Sequence, residues 1–354
     1  MLKNSYHVVG VMSGTSLDGI DLAEIFLEYK EHQWSFALGH TSTIPYDESW
    51  LTKLREAIHY KPNQLELLNK AYTEHLAKII NEFINQHQIN NLDAVCSHGH
   101  TILHQPHLGL TFQIGNLPQI AEYLNKKVVC DFRVQDVKLG GQGAPLVPIG
   151  DQLLFHEMDY CLNLGGFANI SFEENGKRIA FDICPVNTIL NYWAEKKGLP
   201  FDRDGIWASE GTLNPELLEK LNRLPFYHAP YPKSLGVEFL NAEIFPSLSE
   251  FNLSPEDHLR TFCEHIAIQI SRVVPDSSIR FLITGGGAYN HFLIERIKKR
   301  LPNASIIIPD SKVIEFKEAL IFGLLGVLKL RNEVNVLSSV TGAKMDHSSG
   351  VIYS

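Results

Sequence analysis

The sequence predicts an α/β protein of two similarly built domains with a ligand cleft between them. Three observations carry this expectation. The 354 residues exceed the ~100–200 typical of one domain. A plan of three consecutive strands followed by strands alternating with helices runs once from Tyr6 and restarts at Tyr160. Three glycine turns stand at strand ends, at Ser13–Gly19, Gly165–Gly166 and Gly285–Gly287.

The elements follow in order. Tyr6 to Met12 is an apolar run ending in Ser-Gly, a buried strand entering a tight turn. Asp21 to Tyr29 and Gln33 to His40 complete a meander. Asp47 to Tyr60 and Asn63 to Gln88 have helical periodicity, and each opens after a proline with a capping-type residue. Leu92 to Ser97 is a strand, Leu117 to Leu124 a helix and Lys127 to Phe132 a strand. A Gly/Pro-rich loop over Leu139 to Pro148 leads to a helix over Val147 to Phe155.

The second meander comprises Tyr160 to Leu164, Phe167 to Glu173 and Arg178 to Ile183. Helices are expected near Thr188 to Lys197, Asn214 to Leu224 and Pro255 to Val274. A strand at Arg280 to Thr284, a helix, a strand at Ser305 to Pro309 and a long helix from Glu315 finish the chain. The expected domains are 1–150 and 151–354, with roughly the last twenty residues returning to the first.

Lys plus Arg number 31 and Asp plus Glu 40, a net charge of -9, which argues against a nucleic-acid partner. The five cysteines contain no Cys-x-x-Cys pair and read as buried free thiols in a reducing compartment. The start, Met-Leu-Lys-Asn-Ser, has no apolar signal core, and Ala319 to Leu330 is too short to span a bilayer. The expectation is a cytoplasmic protein without a membrane partner.

Four places hold residue types suited to chemistry. In the first turn, Gly14 and Gly19 permit close ligand approach, and Thr15 and Ser16 add hydroxyls. Successive amides in the Ser13–Gly19 turn can form an anion nest. Asp18 and Asp21 suit a magnesium ion held through water. An ordinary polar hairpin accounts for this loop alone equally well. The turns at Gly165, Gly166 and Asn169 and at Gly285, Gly286, Gly287 and Asn290 shift the balance toward a nucleotide between lobes. No Walker or Rossmann glycine pattern is present.

Asp182 ends a strand, where a carboxylate suits a general base; a lone turn aspartate is the bland alternative. Arg133, with Gly140-Gly-Gln142-Gly143 beyond it, suits a carboxylate or phosphate clamp, against a plain salt bridge. His98, His100, His104 and His107 crowd one segment, but no Cys or carboxylate joins them at zinc spacing. Strand alternation would put His98 and His100 on one face, favouring substrate hydrogen bonding or structure over a metal.

Together these segments resemble the anhydro-N-acetylmuramic acid kinase family. The matching runs are Gly10-Val-Met-Ser-Gly-Thr-Ser-Leu-Asp-Gly-Ile-Asp21, Ser97-His-Gly-His-Thr101, Asp131-Phe-Arg133, Gly140-Gly-Gln-Gly-Ala-Pro-Leu-Val-Pro148, Asn163-Leu-Gly-Gly-Phe-Ala-Asn-Ile170, Phe181-Asp182, and Thr284-Gly-Gly-Gly-Ala288 with Asn290. They keep the family's order over nearly the whole chain.

The resemblance implies two actin-like (ribonuclease H-like) domains, ATP with Mg2+, and an amino-sugar substrate that is opened by water and phosphorylated. It implies that the first glycine loop cradles the phosphates and that Asp182 activates the water. His98, Arg133, Gln142 and Gly143 would meet the sugar, with Arg133 placed at its lactyl carboxylate by charge. A homodimer is plausible for such an enzyme.

The chain departs from the family at Ile183, Cys184 and Val186, where many members carry Thr, Gly and Gly, and at His100, where Gln is usual. A same-fold kinase for another sugar, or a nucleotide-binding regulator without catalysis, are the competing expectations.

Overall fold

The computed structural model describes residues 3–354. It divides into two units, one running to Leu154 and resuming over Phe316–Ser354, the other Phe155–Glu315. The chain passes between the units at Leu154–Phe155 and at Glu315–Phe316. The returning segment begins at Phe316, much earlier than expected. There the helix Ser311–Leu330 leaves helical geometry, with Phe316 at φ −111° and ψ 16°. The sequence shows one unbroken apolar helix, which hid this division.

In the first unit the strands are β1 (Ser5–Ser13), β2 (Ile20–Lys30), β3 (Gln33–Ile44), β4 (Ala94–Gln105), β5 (Leu110–Ile114) and β6 (Val128–Cys130), joined by the C-terminal strand Val351–Tyr353. The path runs C-terminal strand–β6–β4–β1–β2–β3, with β5 paired to β4. β1 pairs antiparallel to β2 and parallel to β4, so it lies inside the sheet, and its residues Val8, Val9 and Val11 are buried. Strands covered on both faces read as continuous apolar runs, which is how β1 was legible.

Helix Pro62–Gln86 covers this sheet through Leu65, Leu68, Tyr72, Leu76, Ile80 and Phe83, spaced three or four apart. Each such large apolar side chain contributes about 1.5–3 kcal/mol on full burial. The long helix approaches β1 so closely that a Cβ on Gly10 would meet the Ala319 carbonyl at 2.1 Å. Gly10 of the first motif is therefore a packing glycine.

The second unit holds β7 (Tyr160–Leu164), β8 (Phe167–Glu174), β9 (Lys177–Pro185), β10 (Arg280–Thr284) and β11 (Ser305–Ile307), in the order β11–β10–β7–β8–β9. Numbered from its own first strand, this order is 5-4-1-2-3. The first unit has the same order in β6–β4–β1–β2–β3, so the repeated plan read from the sequence holds at the level of topology. Helix Pro255–Val273 carries the core of this unit. Ser254 caps it by accepting from Asp257 N–H at 3.1 Å, and Pro255 occupies its first turn.

The strand expected over Leu92–Ser97 extends to Gln105 and turns back through β5, which sequence reading missed. All five cysteines are buried and free. No helix among the described residues is long and apolar enough to cross a membrane.

Candidate functional site

The β1–β2 turn is polar and partly open to solvent. Thr15, Ser16 and Asp18 are exposed. Leu17, at φ 64°, closes the turn by donating its N–H to the Gly14 carbonyl at 3.3 Å. Among the described residues, the amides of Thr15, Ser16, Asp18 and Gly19 have no hydrogen-bond partner. A run of unspent amides in a tight turn is suited to an anion. Asp21 lies half-buried in β2, and its carboxylate accepts from the Thr43 hydroxyl of β3 at 2.6 Å.

Ser13 differs from the rest of the loop. It is 2% exposed, and its hydroxyl contacts Tyr46 Oη at 2.6 Å and His100 Nδ1 at 2.8 Å. Tyr46 Oη in turn meets Tyr72 Oη. The expected alternation of His98 and His100 is not kept. Gly99 has φ 75°, and Val11 and Ser13 of β1 oppose Ser97 and His100 of β4, one extra residue on β4. The bulge sends the two imidazoles to different partners.

His98 receives the Arg133 Nε–H at Nε2, 2.8 Å, and its own Nδ1 faces the Gly99 carbonyl at 2.9 Å. Nδ1 therefore carries the proton, and the ring is neutral. Burial and the adjacent Arg133 charge both hold its pKa well below the usual histidine value.

Arg133 also donates from Nη1 to the Gly143 carbonyl at 2.6 Å, while the Gly143 N–H donates to Asp136 Oδ2 at 2.6 Å. Burial brings the guanidinium down to about 10, and Glu318 and Asp136 oppose this. Its Nη2 has no hydrogen-bond partner among the described residues. The Gln142 N–H is tied to the Thr341 carbonyl at 2.8 Å, leaving its side chain exposed. His98, Arg133 and Gly143 are thus one hydrogen-bonded group, with Gln142 beside it.

Sequence reading missed the braces of this group. Thr341 donates to Asp136 Oδ1 at 2.7 Å, and Ser349 donates to the Phe132 carbonyl at 2.6 Å. It also missed Glu318. This residue is exposed, and its charge lies near those of Arg133 and Asp21. The Lys-Glu-Ala-Leu run around Glu318 reads as an ordinary helix surface, so only its position across from Arg133 gives it away.

In the second unit two glycine turns meet. A Cβ on Gly285 (φ 81°) would stand 2.8 Å from the Leu164 carbonyl, and one on Gly287 2.7 Å from the Leu164 side chain. The Gly165 carbonyl accepts from Asn187 N–H. The Gly166 carbonyl accepts from Val186 N–H, Thr188 N–H and the Thr188 hydroxyl. The turn is therefore stitched to the start of helix Asn187–Glu195. Asn290 is 8% exposed and caps helix His291–Arg300 through its Oδ1, 2.9 Å from Leu293 N.

Asp182 stands in β9 opposite Asn169 of β8. Its Oδ2 accepts the Leu235 N–H at 2.8 Å, and its own N–H donates to the Lys233 carbonyl at 3.0 Å. Burial raises its pKa, and the Leu235 N–H works against that. A half-buried carboxylate with a raised proton affinity is suited to base chemistry near neutral pH. The neighbouring departures, Ile183, Cys184 and Val186, are all buried in the hydrophobic core of this unit.

Comparison with known proteins decides the family. The model of the family described as anhydro-N-acetylmuramic acid kinase matches residues 6–354. The chain belongs to the anhydro-N-acetylmuramic acid kinase family. A relative carrying that name from Shewanella putrefaciens is 34% identical over 370 residues, covering 98% of this chain and 97% of its own. Another, from Mannheimia succiniciproducens, is 34% identical over 381 residues and covers 100% of both chains.

Among solved structures the chain is similar to an activator of 2-hydroxyisocaproyl-CoA dehydratase from Clostridium difficile. The TM-score is 0.47 at 14% identity, over 92% of this chain and 96% of that one. It is also similar to a ROK family glucokinase from Streptomyces griseus, with TM-score 0.39 at 12% identity, over 92% and 98%.

Proposed function

We propose that this chain uses ATP to open 1,6-anhydro-N-acetylmuramic acid with water and phosphorylate O6, giving N-acetylmuramic acid 6-phosphate and ADP. The match of the family model over residues 6–354 carries this reading. The unspent amides of Thr15, Ser16, Asp18 and Gly19 support a phosphate cradle. Gly165, Gly166 and Asn169 serve the phosphates from the second unit, and Gly285–Gly287 with Asn290 serve the adenosine.

Asp182 is the base. It takes a proton from water attacking the anomeric carbon; as the anhydro bond breaks, O6 becomes the nucleophile toward the γ-phosphate. Its raised pKa makes the carboxylate a better proton acceptor than an exposed aspartate. His98, Gln142 and Gly143 hold the sugar, and Arg133, with its free Nη2, meets the lactyl carboxylate.

Asp18 is exposed on the loop, and an all-oxygen donor set fits Mg2+ bound partly through water. When bound, the ion would neutralise phosphate charge; Asp18 with Asp21 would hold it. A cytoplasmic homodimer completes the proposal. A kinase for a different sugar loses its motive, because Ile183, Cys184 and Val186 lie in the core.

A panel of 1,6-anhydro-N-acetylmuramic acid, 1,6-anhydro-N-acetylglucosamine, N-acetylmuramic acid and glucose, each with ATP and Mg2+, tests this by mass spectrometry. The expected result is a 6-phosphate from the first sugar in preference to the others. Preferential phosphorylation of another sugar overturns the substrate assignment.

A further inference from the structure

Beneath the β1–β2 turn lies a hydrogen-bonded row that no proposed catalytic step uses. It runs Tyr72 Oη, Tyr46 Oη, Ser13 Oγ, His100 Nδ1. Tyr72 is 0% exposed, His100 2%, Ser13 2% and Tyr46 7%, so water does not satisfy these groups. The row joins helix Pro62–Gln86, the segment before helix Glu48–Glu56, the end of β1 and the bulge in β4. It grips the first turn at the residue where the strand becomes loop.

Proton counting favours one direction, because the reverse leaves the fully buried Tyr72 O–H without an acceptor. Three hydroxyls supply three protons, and the row has three contacts. If Tyr72 donates to Tyr46, Tyr46 to Ser13 and Ser13 to His100, every contact is filled and Nδ1 needs no proton. Burial lowers the imidazole pKa to about 4, so the ring is neutral and its one proton falls on Nε2. That nitrogen has no hydrogen-bond partner among the described residues. The Ser13 hydroxyl proton is then spent inward, away from the loop, leaving backbone amides rather than this hydroxyl to face an anion.

We propose that His100, in its Nε2–H form, is a positioning residue that accepts from Ser13 and so fixes the floor of the phosphate turn. This rests on the reading of that turn as the phosphate cradle. It also gives a role to a position where the family usually carries glutamine. An imidazole Nδ1 and a side-chain amide group can each fill the acceptor end of the row; an aliphatic side chain cannot.

Three substitutions test the proposal. His100→Leu leaves Ser13 without its acceptor and should raise the KM for ATP about tenfold with kcat changed far less, since an unmet buried hydroxyl weakens the turn. His100→Asn puts an amide oxygen near the Nδ1 position and should restore most of the affinity. Tyr72→Phe removes the first donor and should shift the ATP KM in the same direction, more weakly. Thermal melts accompany each variant. A lowered Tm with unchanged ATP KM in His100→Leu overturns the positioning role.

Nitrogen-15 spectra of the histidine rings test the direction independently of turnover. Nδ1 of His100 should resonate as an unprotonated nitrogen, and the ring should not titrate near neutral pH. A proton on Nδ1 overturns the proposal. If the wild type binds ATP but turns over no sugar, the kinase reading fails alone, and calorimetric ATP affinities of the same variants decide the role of His100.

Discussion

The β1–β2 turn of the first unit and the β7–β8 turn of the second occupy the same place in sheets of the same strand order, yet they are built in opposite ways. The first is long and polar, and it spends one backbone amide on itself. Its anchor lies below, in the buried contacts of Ser13. The second is two glycines, anchored above by the start of helix Asn187–Glu195, which takes both carbonyls. A turn held from beneath can carry side chains around its rim. In the turn held through its carbonyls, a Cβ on Gly165 or Gly166 would come within 3.1 Å of a neighbouring side chain.

The carboxylates follow the same inversion. In the first unit Asp21 on β2 faces Thr43 on β3; in the second, Asn169 on β8 faces Asp182 on β9. Asp21 is satisfied by a hydroxyl within its own sheet. Asp182 is held by one backbone N–H from a loop and has a raised proton affinity. Equivalent strand pairs thus carry their carboxylates on different strands and in different surroundings.

The largest expected effect comes from removing that second carboxylate. Asp182→Asn should lower turnover by roughly a thousandfold or more while ATP affinity, measured by calorimetry, stays near the wild-type value. Turnover within tenfold of wild type would take the base role from Asp182.

Next are the glycines. Gly285→Ala must hold φ 81° and place a Cβ 2.6 Å from Asn163 Oδ1 and 2.8 Å from the Leu164 carbonyl. Urea unfolding should show a loss of roughly 1–3 kcal/mol. Gly14→Ala meets nothing closer than Ser16 Oγ at 3.4 Å and should stay within about 0.5 kcal/mol. Equal losses in the two variants would erase the contrast between the open first turn and the packed turn after β10.

How far the sequence shows all this depends on the range of the interaction. β1 was legible because a strand covered on both faces is an apolar run, and helix Pro62–Gln86 because its buried face repeats every three or four residues. The polar β1–β2 turn stood out for its composition. The contact of Gly285 with Leu164 did not, since it joins residues far apart in the chain. The buried row ending at Ser13 and the Thr341 brace on Asp136 were hidden for the same reason. A helix that breaks at Phe316 without a proline or glycine there gave no local sign of the unit boundary.

Smaller effects sharpen the comparison. Folding raises the Asp182 pKa, so the native state binds this proton more tightly than the unfolded chain. This group's contribution to stability falls as pH rises from the ordinary aspartate value of about 3.9 toward the raised native value. At neutral pH Asp182→Asn should therefore raise Tm slightly. In the wild type, the acid limb of kcat/KM should lie above that ordinary value. A limb at or below it would contradict the shift. Thr188→Ala removes the 2.9 Å hydroxyl bond to the Gly166 carbonyl, which keeps two backbone donors, and should cost no more than about 1 kcal/mol in urea unfolding.

The central claim is that the β1–β2 turn is a phosphate cradle, and amide NMR on a titration with a non-hydrolysable ATP analogue and Mg2+ tests it most directly. The amides of Thr15, Ser16, Asp18 and Gly19 should shift along one saturation curve. Nucleotide binding that leaves the first turn's amides unmoved would contradict the account.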